Sequence, residues 1–202
     1  MPTALKMLLL LLLATAVTEA AAADVPAPGV RPPKVVAAKF VQVRHLAELD
    51  MDVESRGSMV CELDNRLRWQ VDEPVRSITL IDREKLTHFD DATKQIAVIE
   101  QKKFPWLKLL RDSLDDWLSG DRRRLARRFD VSCPRPDTLH LVPRDAVMDK
   151  ICRSVDITFS PGADAISLIR ITEAGGDTLE IRFSEVVNDP RLSPQFWRLP
   201  PR

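Results

Sequence analysis

The sequence predicts an α+β domain in which a helix interrupts a mostly antiparallel sheet. Apolar and polar residues alternate with a period of two over most of the chain, as half-buried strands require. Few residues separate these segments, which favours an antiparallel meander over βαβ units. Residues 105–119 change to a three- and four-residue spacing, which is typical of an amphipathic helix. The 202 residues are enough for a single domain with a sizeable core.

The first 23 residues have the parts of a secretory signal peptide. Lys6 precedes a leucine-rich run at 7–17, and small residues follow at 20–23. The run is shorter than the roughly 20 apolar residues that a membrane-spanning helix needs. We therefore expect export, with cleavage near Ala23. Residues 24–38 are rich in proline, which predicts a flexible segment before a domain at 39–202.

Two strands joined by a tight turn are predicted between Gly57 and Val71. Asp64 and Asn65 are the turn pair, and the second strand alternates from Arg66 to Val71. Alternation places several side chains on one apolar face of this hairpin, namely Met59, Cys61, Leu67 and Trp69.

Three further strands are predicted before the helix, at Ser77–Asp82, Lys85–Asp90 and Lys94–Glu100. Ile78 and Leu80 share one face of the first of these strands. We expect that face to continue the apolar face of the hairpin.

The helix is predicted from Pro105 to Ser119, with its proline in the first turn and Gly120 just beyond its end. A second, shorter helix should follow from Asp121 to Arg128. The apolar side of the first helix includes Trp106, Leu110, Leu114 and Trp117.

The remaining sequence returns to alternating strands separated by turns. Residues 143–148 are long enough for one helical turn. In the last strand, the apolar positions are Leu179, Ile181 and Phe183. The predicted strands are Asp130–Cys133, Thr138–Val142, Ser154–Phe159, Ala165–Glu173 and Thr178–Val187.

Three short motifs occur in the first half of the chain, F-x-Q at 40–42, S-x-G at 55–57 and R-W-x-x-x-x-P at 68–74. Together they resemble the start of the LolA family of periplasmic lipoprotein carriers. A tail rich in Phe and Pro at 196–201 resembles the end of that family. The chain looks most like the divergent LolA-like proteins that are encoded with polyketide or fatty-acyl pigment genes.

The resemblance implies a periplasmic carrier with a strongly curved, open half-barrel sheet and a helical lid over its apolar concave face. It also implies a monomer, a lipid or acylated protein as cargo, an inner-membrane exporter and an outer-membrane acceptor. Leu63 and Asp64 stand where typical carriers have an Arg-Pro pair that latches the lid. The resemblance therefore does not imply this latch for the present chain. The cavity and lid residues that we expect are Met59, Cys61, Leu67, Trp69, Ile78, Leu80, Trp106, Leu110, Leu114, Trp117, Leu179, Ile181 and Phe183.

Familiar catalytic motifs are absent from the sequence. There is no G-x-S-x-G, P-loop, H-E-x-x-H or dinucleotide fingerprint. His45, His88 and His140 are each isolated among strand residues. We therefore expect no enzyme, no cofactor and no metal. The formal net charge of +0 gives no reason to expect a nucleic acid as partner.

The densest charge is an arginine cluster at the second helix. Its residues either form a solvated helix face or dock to anionic lipid head groups or an acidic partner at a membrane. The cluster comprises Arg122, Arg123, Arg124, Arg127 and Arg128.

The three cysteines allow at most one disulfide within an exported chain. Cys133 and Cys152 are the candidate pair, because each lies beside a predicted strand. Three unpaired buried thiols are the alternative.

Two other functions fit the same pattern. An envelope sensor or assembly module could use the half-barrel to recognise a protein partner, and an exported hydrolase with an unfamiliar site is a further alternative. A solid core is also compatible with a one-sided sheet and an amphipathic helix. A wide apolar cavity would distinguish the carrier from the assembly module.

Overall fold

A computed structural model describes residues 33–63, 65–102, 122–144, 146–150, 152–161 and 165–199. These residues form one sheet of eleven strands, which confirms the predicted antiparallel architecture. The strands are β1 Val35–Leu46, β2 Met51–Glu62, β3 Arg66–Glu73, β4 Ser77–Ile81, β5 Lys85–Asp90, β6 Gln95–Glu100, β7 Phe129–Arg135, β8 Thr138–Pro143, β9 Cys152–Phe159, β10 Ile166–Glu173 and β11 Thr178–Asn188.

The spatial order of the strands is β6-β5-β4-β3-β2-β1-β11-β10-β9-β8-β7. Almost every strand therefore pairs with its neighbour in sequence. There are two exceptions. β6 and β7 are consecutive but lie at opposite ends of the order, whereas β1 and β11, the first and last strands, pair at its centre.

Helices are few within the described part of the chain. They are α1 at Arg122–Leu125, α2 at Ala146–Asp149 and a 3-10 helix at Pro194–Trp197. The helix predicted at Asp121–Arg128 is thus shorter than expected, while α2 overlaps the predicted helical turn. The helix predicted from Pro105 to Ser119, with the lid residues Trp106, Leu110, Leu114 and Trp117, lies outside the described residues. No helix among those described is long and apolar enough to cross a membrane.

The first strand corrects the predicted start of the domain. β1 begins at Val35, inside the segment 24–38 that its prolines predicted to be flexible. The prolines stop at Pro33, and the sequence from Val35 onward alternates buried and less buried positions. Only the proline-rich part of the predicted segment therefore precedes the sheet.

The described residues fall into two compact units, each with its own core. The first unit consists of the described parts of Pro33–Val41, Glu54–Asp112 and Phe183–Arg202. The second consists of Gln42–Val53 and the described parts of Ser113–Arg182. Fully buried side chains include Phe40, Ile78, Ile81 and Leu86 in the first unit, and Leu125, Phe129, Leu139 and Leu141 in the second.

Local turn chemistry explains several of the strand ends. The Asp82 carboxylate accepts the backbone N–H groups of Glu84 and Lys85 between β4 and β5. Between β10 and β11, Gly176 has a φ of +96°, a conformation that glycine adopts without steric cost.

Candidate functional site

The register of β2, β3 and β4 assembles an apolar face in the first unit. Met59 lies opposite Trp69, Cys61 lies opposite Leu67, and Leu67 in turn lies opposite Ile81. Opposed residues of an antiparallel pair project to the same side of the sheet. All five side chains are buried. The predicted shared face of Met59, Cys61, Leu67 and Trp69 is therefore confirmed.

Three aromatic rings meet on this face. The ring of Trp69 stacks on that of Phe40, with centroids 4.0 Å apart and an interplanar angle of 22°. Phe183, from β11, approaches the edge of Trp69 at 6.5 Å and 88°. Stacked and edge-to-face pairs are both favourable geometries for aromatic rings. Phe183, one of the predicted cavity residues, thus lies on the Trp69 face.

Gly57 makes room for this stack. A Cβ built on Gly57 would lie 1.9 Å from the backbone oxygen of Gln70 and 2.9 Å from Cζ of Phe40. Both distances are far inside van der Waals contact, so only glycine fits without a shift of the backbone. The F-x-Q, S-x-G and R-W motifs therefore converge on one place in the fold.

Ile78 and Leu80 do not lie on this face, which corrects the prediction. Ile78 is opposite Gln70, and Leu80 is opposite Arg68, so both project to the other side of the sheet. The sequence prediction identified the alternation in β4 but assigned its residues to the wrong sides of the sheet. Thr79 is the residue opposite Trp69, and it brings His88 onto the apolar face.

The other side of β3 is covered by the C-terminal segment. The guanidinium of Arg68 donates to the backbone oxygens of Phe196 and Arg198 at 2.9 and 3.2 Å. It also lies 4.9 Å from the centroid of the Phe196 ring, and Arg66 lies 4.2 Å from that of Trp197. These contacts are cation–π interactions. Burial lowers the pKa of Arg68.

The second unit has an apolar face of its own, to which two more of the predicted cavity residues belong. Leu179 is opposite Ile171, and Ile181 is opposite Ile169, and all four side chains are almost completely buried. The row continues through β9 and β8 by way of Val155, Ile157, Leu139 and Leu141.

A buried ionic cluster lies at the end of β10. One nitrogen of Arg44 donates to Oε2 of Glu173 at 2.8 Å and to Oδ2 of Asp177 at 2.9 Å. Asp177 also accepts the backbone N–H of Ala47 at 2.9 Å. The cluster therefore connects β1 to the turn between β10 and β11. Nothing in the local sequence pattern identified it.

The pKa values of the two carboxylates in this cluster are shifted in opposite directions. Burial raises the pKa of Glu173, and the charge of Arg44 only partly opposes that effect. The hydrogen bond from Arg44 lowers the pKa of Asp177. Oε1 of Glu173 has no hydrogen-bond partner within the described part of the chain.

The candidate disulfide is not formed. Cys133 is exposed on β7 and Cys152 is buried on β9. Because β8 lies between those strands, their backbones are about 9–10 Å apart, beyond the roughly 7 Å limit for Cα atoms in a disulfide. Burial raises the pKa of the Cys152 thiol to about 12, which keeps it protonated at neutral pH.

The arginine cluster occupies α1 and the turn that follows it. Arg123 and Arg127 are exposed, while Arg124 and Arg128 are half-buried. Among the described residues, no group of three or more His, Cys, Asp or Glu side chains could hold a metal ion. Each histidine contacts a polar side chain: His45 contacts Asp52, His140 contacts Asp156, and His88 contacts Thr79.

Comparison with known proteins gives a family match over most of the chain. The family model described as "Outer membrane lipoprotein carrier protein LolA" matches residues 33–199. No curated protein matches the sequence.

Solved structures similar to the chain are distant in sequence. A LolA superfamily protein from Nitrosomonas europaea is 10% identical with a TM-score of 0.45, over 84% of this chain and 92% of that one. A DUF1329 family protein from Desulfovibrio piger is 9% identical with a TM-score of 0.49, over 82% and 90%. An uncharacterized conserved protein from Thermus thermophilus is 11% identical with a TM-score of 0.49, over 83% and 86%.

Proposed function

The chain belongs to the LolA family of outer membrane lipoprotein carrier proteins, and we propose that it carries a lipid or lipoprotein by burying acyl chains against the face around Trp69. The cargo moves between the inner and outer membranes, and the protein works in the periplasm after removal of its leader. No covalent chemistry is required, because binding and release depend on burial alone.

The aromatic cluster on an apolar face is the observation that supports this proposal most directly. Phe40, Trp69 and Phe183 bring three rings together beside Met59 and Leu67. Each methylene of an acyl chain that leaves water for such a surface contributes about 0.8 kcal/mol. A chain of ordinary length therefore gains several kcal/mol even after the entropic cost of its immobilisation.

The helix predicted at 105–119 serves as the lid in this proposal, with Trp106, Leu110, Leu114 and Trp117 toward the cargo. The proposed partners are an exporter that delivers the cargo at the inner membrane and an acceptor at the outer membrane. The exposed Arg123 and Arg127 are the proposed contact to anionic head groups or to an acidic partner, each worth about 1 kcal/mol near an anionic surface. The carrier acts as a monomer.

The proposal is tested by contact quenching of Trp69. Trp69 is only 5% exposed, so cargo displaces little water from it and its emission wavelength is a weak reporter. A bromine atom on an acyl chain quenches an indole that it touches. We expect a brominated fatty-acyl methyl ester to quench the delipidated protein, and the quenched fraction to fall in Trp69→Phe. Phenylalanine keeps most of the apolar volume, so the fold should survive.

Trp197→Phe is the matched control, because Trp197 contacts Arg66 on the opposite side of β3. Its replacement should leave the quenched fraction of the remaining tryptophans undiminished. A protein that shows no quenching at saturating ester would contradict the carrier function. Equal losses in the two variants would place the acyl chain away from the Trp69 face.

A further inference from the structure

A polar pair lies within the apolar face of the first unit. Thr79 is opposite both Trp69 and His88, so all three side chains project to the same side of the sheet. Thr79 is 2% exposed and His88 is 8% exposed. On the same side of the sheet, the next pair in one direction is apolar, Ile81 with Leu86, and the next pair in the other direction is polar, Ser77 with Asp90. Neither Thr79 nor His88 takes part in the burial of acyl chains described above.

The pair leaves one ring nitrogen without a partner. Oγ1 of Thr79 and Nδ1 of His88 are 2.9 Å apart, which is a hydrogen bond. Nε2 of His88 is buried and makes no hydrogen bond to any described residue. A buried polar atom without a partner is uncommon and costs stability, so each one calls for a physical account.

The protonation of the pair follows from counting its donors and acceptors. Burial lowers the pKa of His88, with the charge of Asp90 opposing that effect, so the imidazole is neutral at pH 7. If Nδ1 carried the proton, both the Thr79 hydroxyl hydrogen and Nε2 would lack partners. If the hydroxyl donates to Nδ1, the only unsatisfied group is Nε2–H. The second arrangement leaves fewer buried polar atoms unsatisfied.

We propose that Nε2–H of His88 donates a hydrogen bond to the carbonyl oxygen of an ester- or amide-linked acyl chain. This inference rests on the proposed carrier function and names the polar group of the cargo that the face recognises. A neutral N–H in an apolar environment pairs well with an uncharged carbonyl. A free carboxylate would have to lose its hydration without a cation at His88 to compensate it.

The position of the pair suits a carbonyl at the end of a buried chain. His88 lies opposite Ala97 of β6, and Ala97 is exposed, whereas Thr79 lies opposite the buried Trp69. The polar group therefore stands between the aromatic cluster and the exposed part of the face. An acyl chain whose carbonyl binds His88 can place its methylenes against Trp69 and its ester or amide substituent toward β6.

Nitrogen NMR of histidine-labelled protein tests the assignment directly. The chain has only three histidines, so the signals of His45, His88 and His140 are resolved by single substitutions. In the delipidated protein, Nε2 of His88 should carry the proton, and methyl laurate should shift that signal alone. A deprotonated Nε2, or a His88 signal that saturating methyl laurate does not move, overturns the proposal.

Two ligands that differ only in their polar group test the role of His88 separately from the carrier function. Methyl laurate and dodecyl methyl ether have similar chains, but the ether oxygen is a poorer acceptor than the ester carbonyl. We expect the wild-type protein to prefer the ester by about three- to tenfold, the value of one net hydrogen bond. His88→Leu should bind both ligands with equal affinity, whereas His140→Leu should keep the preference.

Each outcome has a distinct meaning. Binding of both ligands without an ester preference, or a preference that survives His88→Leu, overturns the role of His88 and leaves the carrier function intact. Failure of the wild-type protein to bind either ligand overturns both. Should His88→Leu not fold, the NMR measurement on the wild-type protein decides the question.

Discussion

Gly57 shows how one residue without a side chain can position a binding face. The space that its Cβ would need is taken by the backbone oxygen of Gln70 and the ring of Phe40. The same ring stacks on Trp69. Gly57 therefore controls how closely β2 approaches the stack, although it contributes no contact area to the face.

Replacing Gly57 with alanine should destabilise the protein by about 3 kcal/mol, because the new methyl group forces the backbone of β3 to move. Urea unfolding measures this effect. Gly175→Ala is the control, since a Cβ there meets nothing within 4 Å, and it should stay within about 0.5 kcal/mol of wild type. A loss at Gly57→Ala that is as small as the one expected for Gly175→Ala would show that alanine is tolerated at Gly57.

The sequence located Trp69 on the apolar face but not the polar residues beside it. The alternation in β3 is strong enough to assign Leu67 and Trp69 without knowing their partners. In β4, both Ile78 and Leu80 are large and apolar, so composition alone favoured the wrong face. Only the register, which places Thr79 opposite Trp69, resolves the choice. The Thr79–His88 pair could therefore not be found from the pattern.

At the level of elements, prediction succeeded where pairing is local and failed where it is not. The hairpins from β3 to β6 have apolar alternation and turn residues within a short stretch of sequence. The sequence analysis placed His45 among strand residues but gave no bounds for β1, whose buried positions include Gln42 and Arg44 as well as Phe40. Arg44 is accommodated there by Glu173, which lies 129 residues away in sequence.

The C-terminal 3-10 helix is held against β3 by a buried arginine, and Arg68→Met tests this attachment. The variant loses both hydrogen bonds from the Arg68 guanidinium to the backbone oxygens of Phe196 and Arg198. We expect amide hydrogen exchange at those two residues to become about tenfold faster, which corresponds to about 1.4 kcal/mol of local stability.

Arg76→Met is the control for that experiment, because Arg76 is exposed just before β4. It should leave hydrogen exchange in the C-terminal segment unchanged. If hydrogen exchange in the segment is equally slow in the two variants, the contact of Trp197 with Arg66 holds the segment without Arg68.

On the scale of the whole molecule, the strand order follows the chain except that β1 pairs with β11 and that β6 and β7 lie at opposite ends. Short turns predict that neighbouring strands pair, but no local pattern shows that the first and last strands meet. That contact requires closing a loop over most of the described chain. The residues that determine it are far apart in sequence, so no short window can reveal the pairing. The family resemblance supplied the expectation of a LolA-like sheet; the strand-by-strand register required the structure.

Unfolding of the whole chain should depend on pH through the Arg44 cluster, with opposite signs at its two carboxylates. The pKa of Glu173 is raised by burial, so its contribution to stability is present below its unfolded value of about 4.3 and is lost as pH rises through the folded pKa. The pKa of Asp177 is lowered by Arg44. Its contribution is present above the unfolded value of about 3.9 and is lost as pH falls through the folded pKa.

Replacing each carboxylate with the amide of the same shape separates the two contributions. The free energy of unfolding in urea is measured for each variant from about pH 3 to pH 8. Relative to wild type, Glu173→Gln should gain stability as pH rises, because the variant has no buried carboxyl group to ionise. Asp177→Asn should show its largest deficit at neutral pH, and that deficit should shrink below about pH 4. Curves that run parallel to wild type for both variants would show that neither carboxylate changes its pKa on folding. If the stability deficit of Glu173→Gln instead shrinks at low pH, as expected for Asp177→Asn, Arg44 favours the ionised form of both carboxylates. Burial would then not dominate the pKa of Glu173.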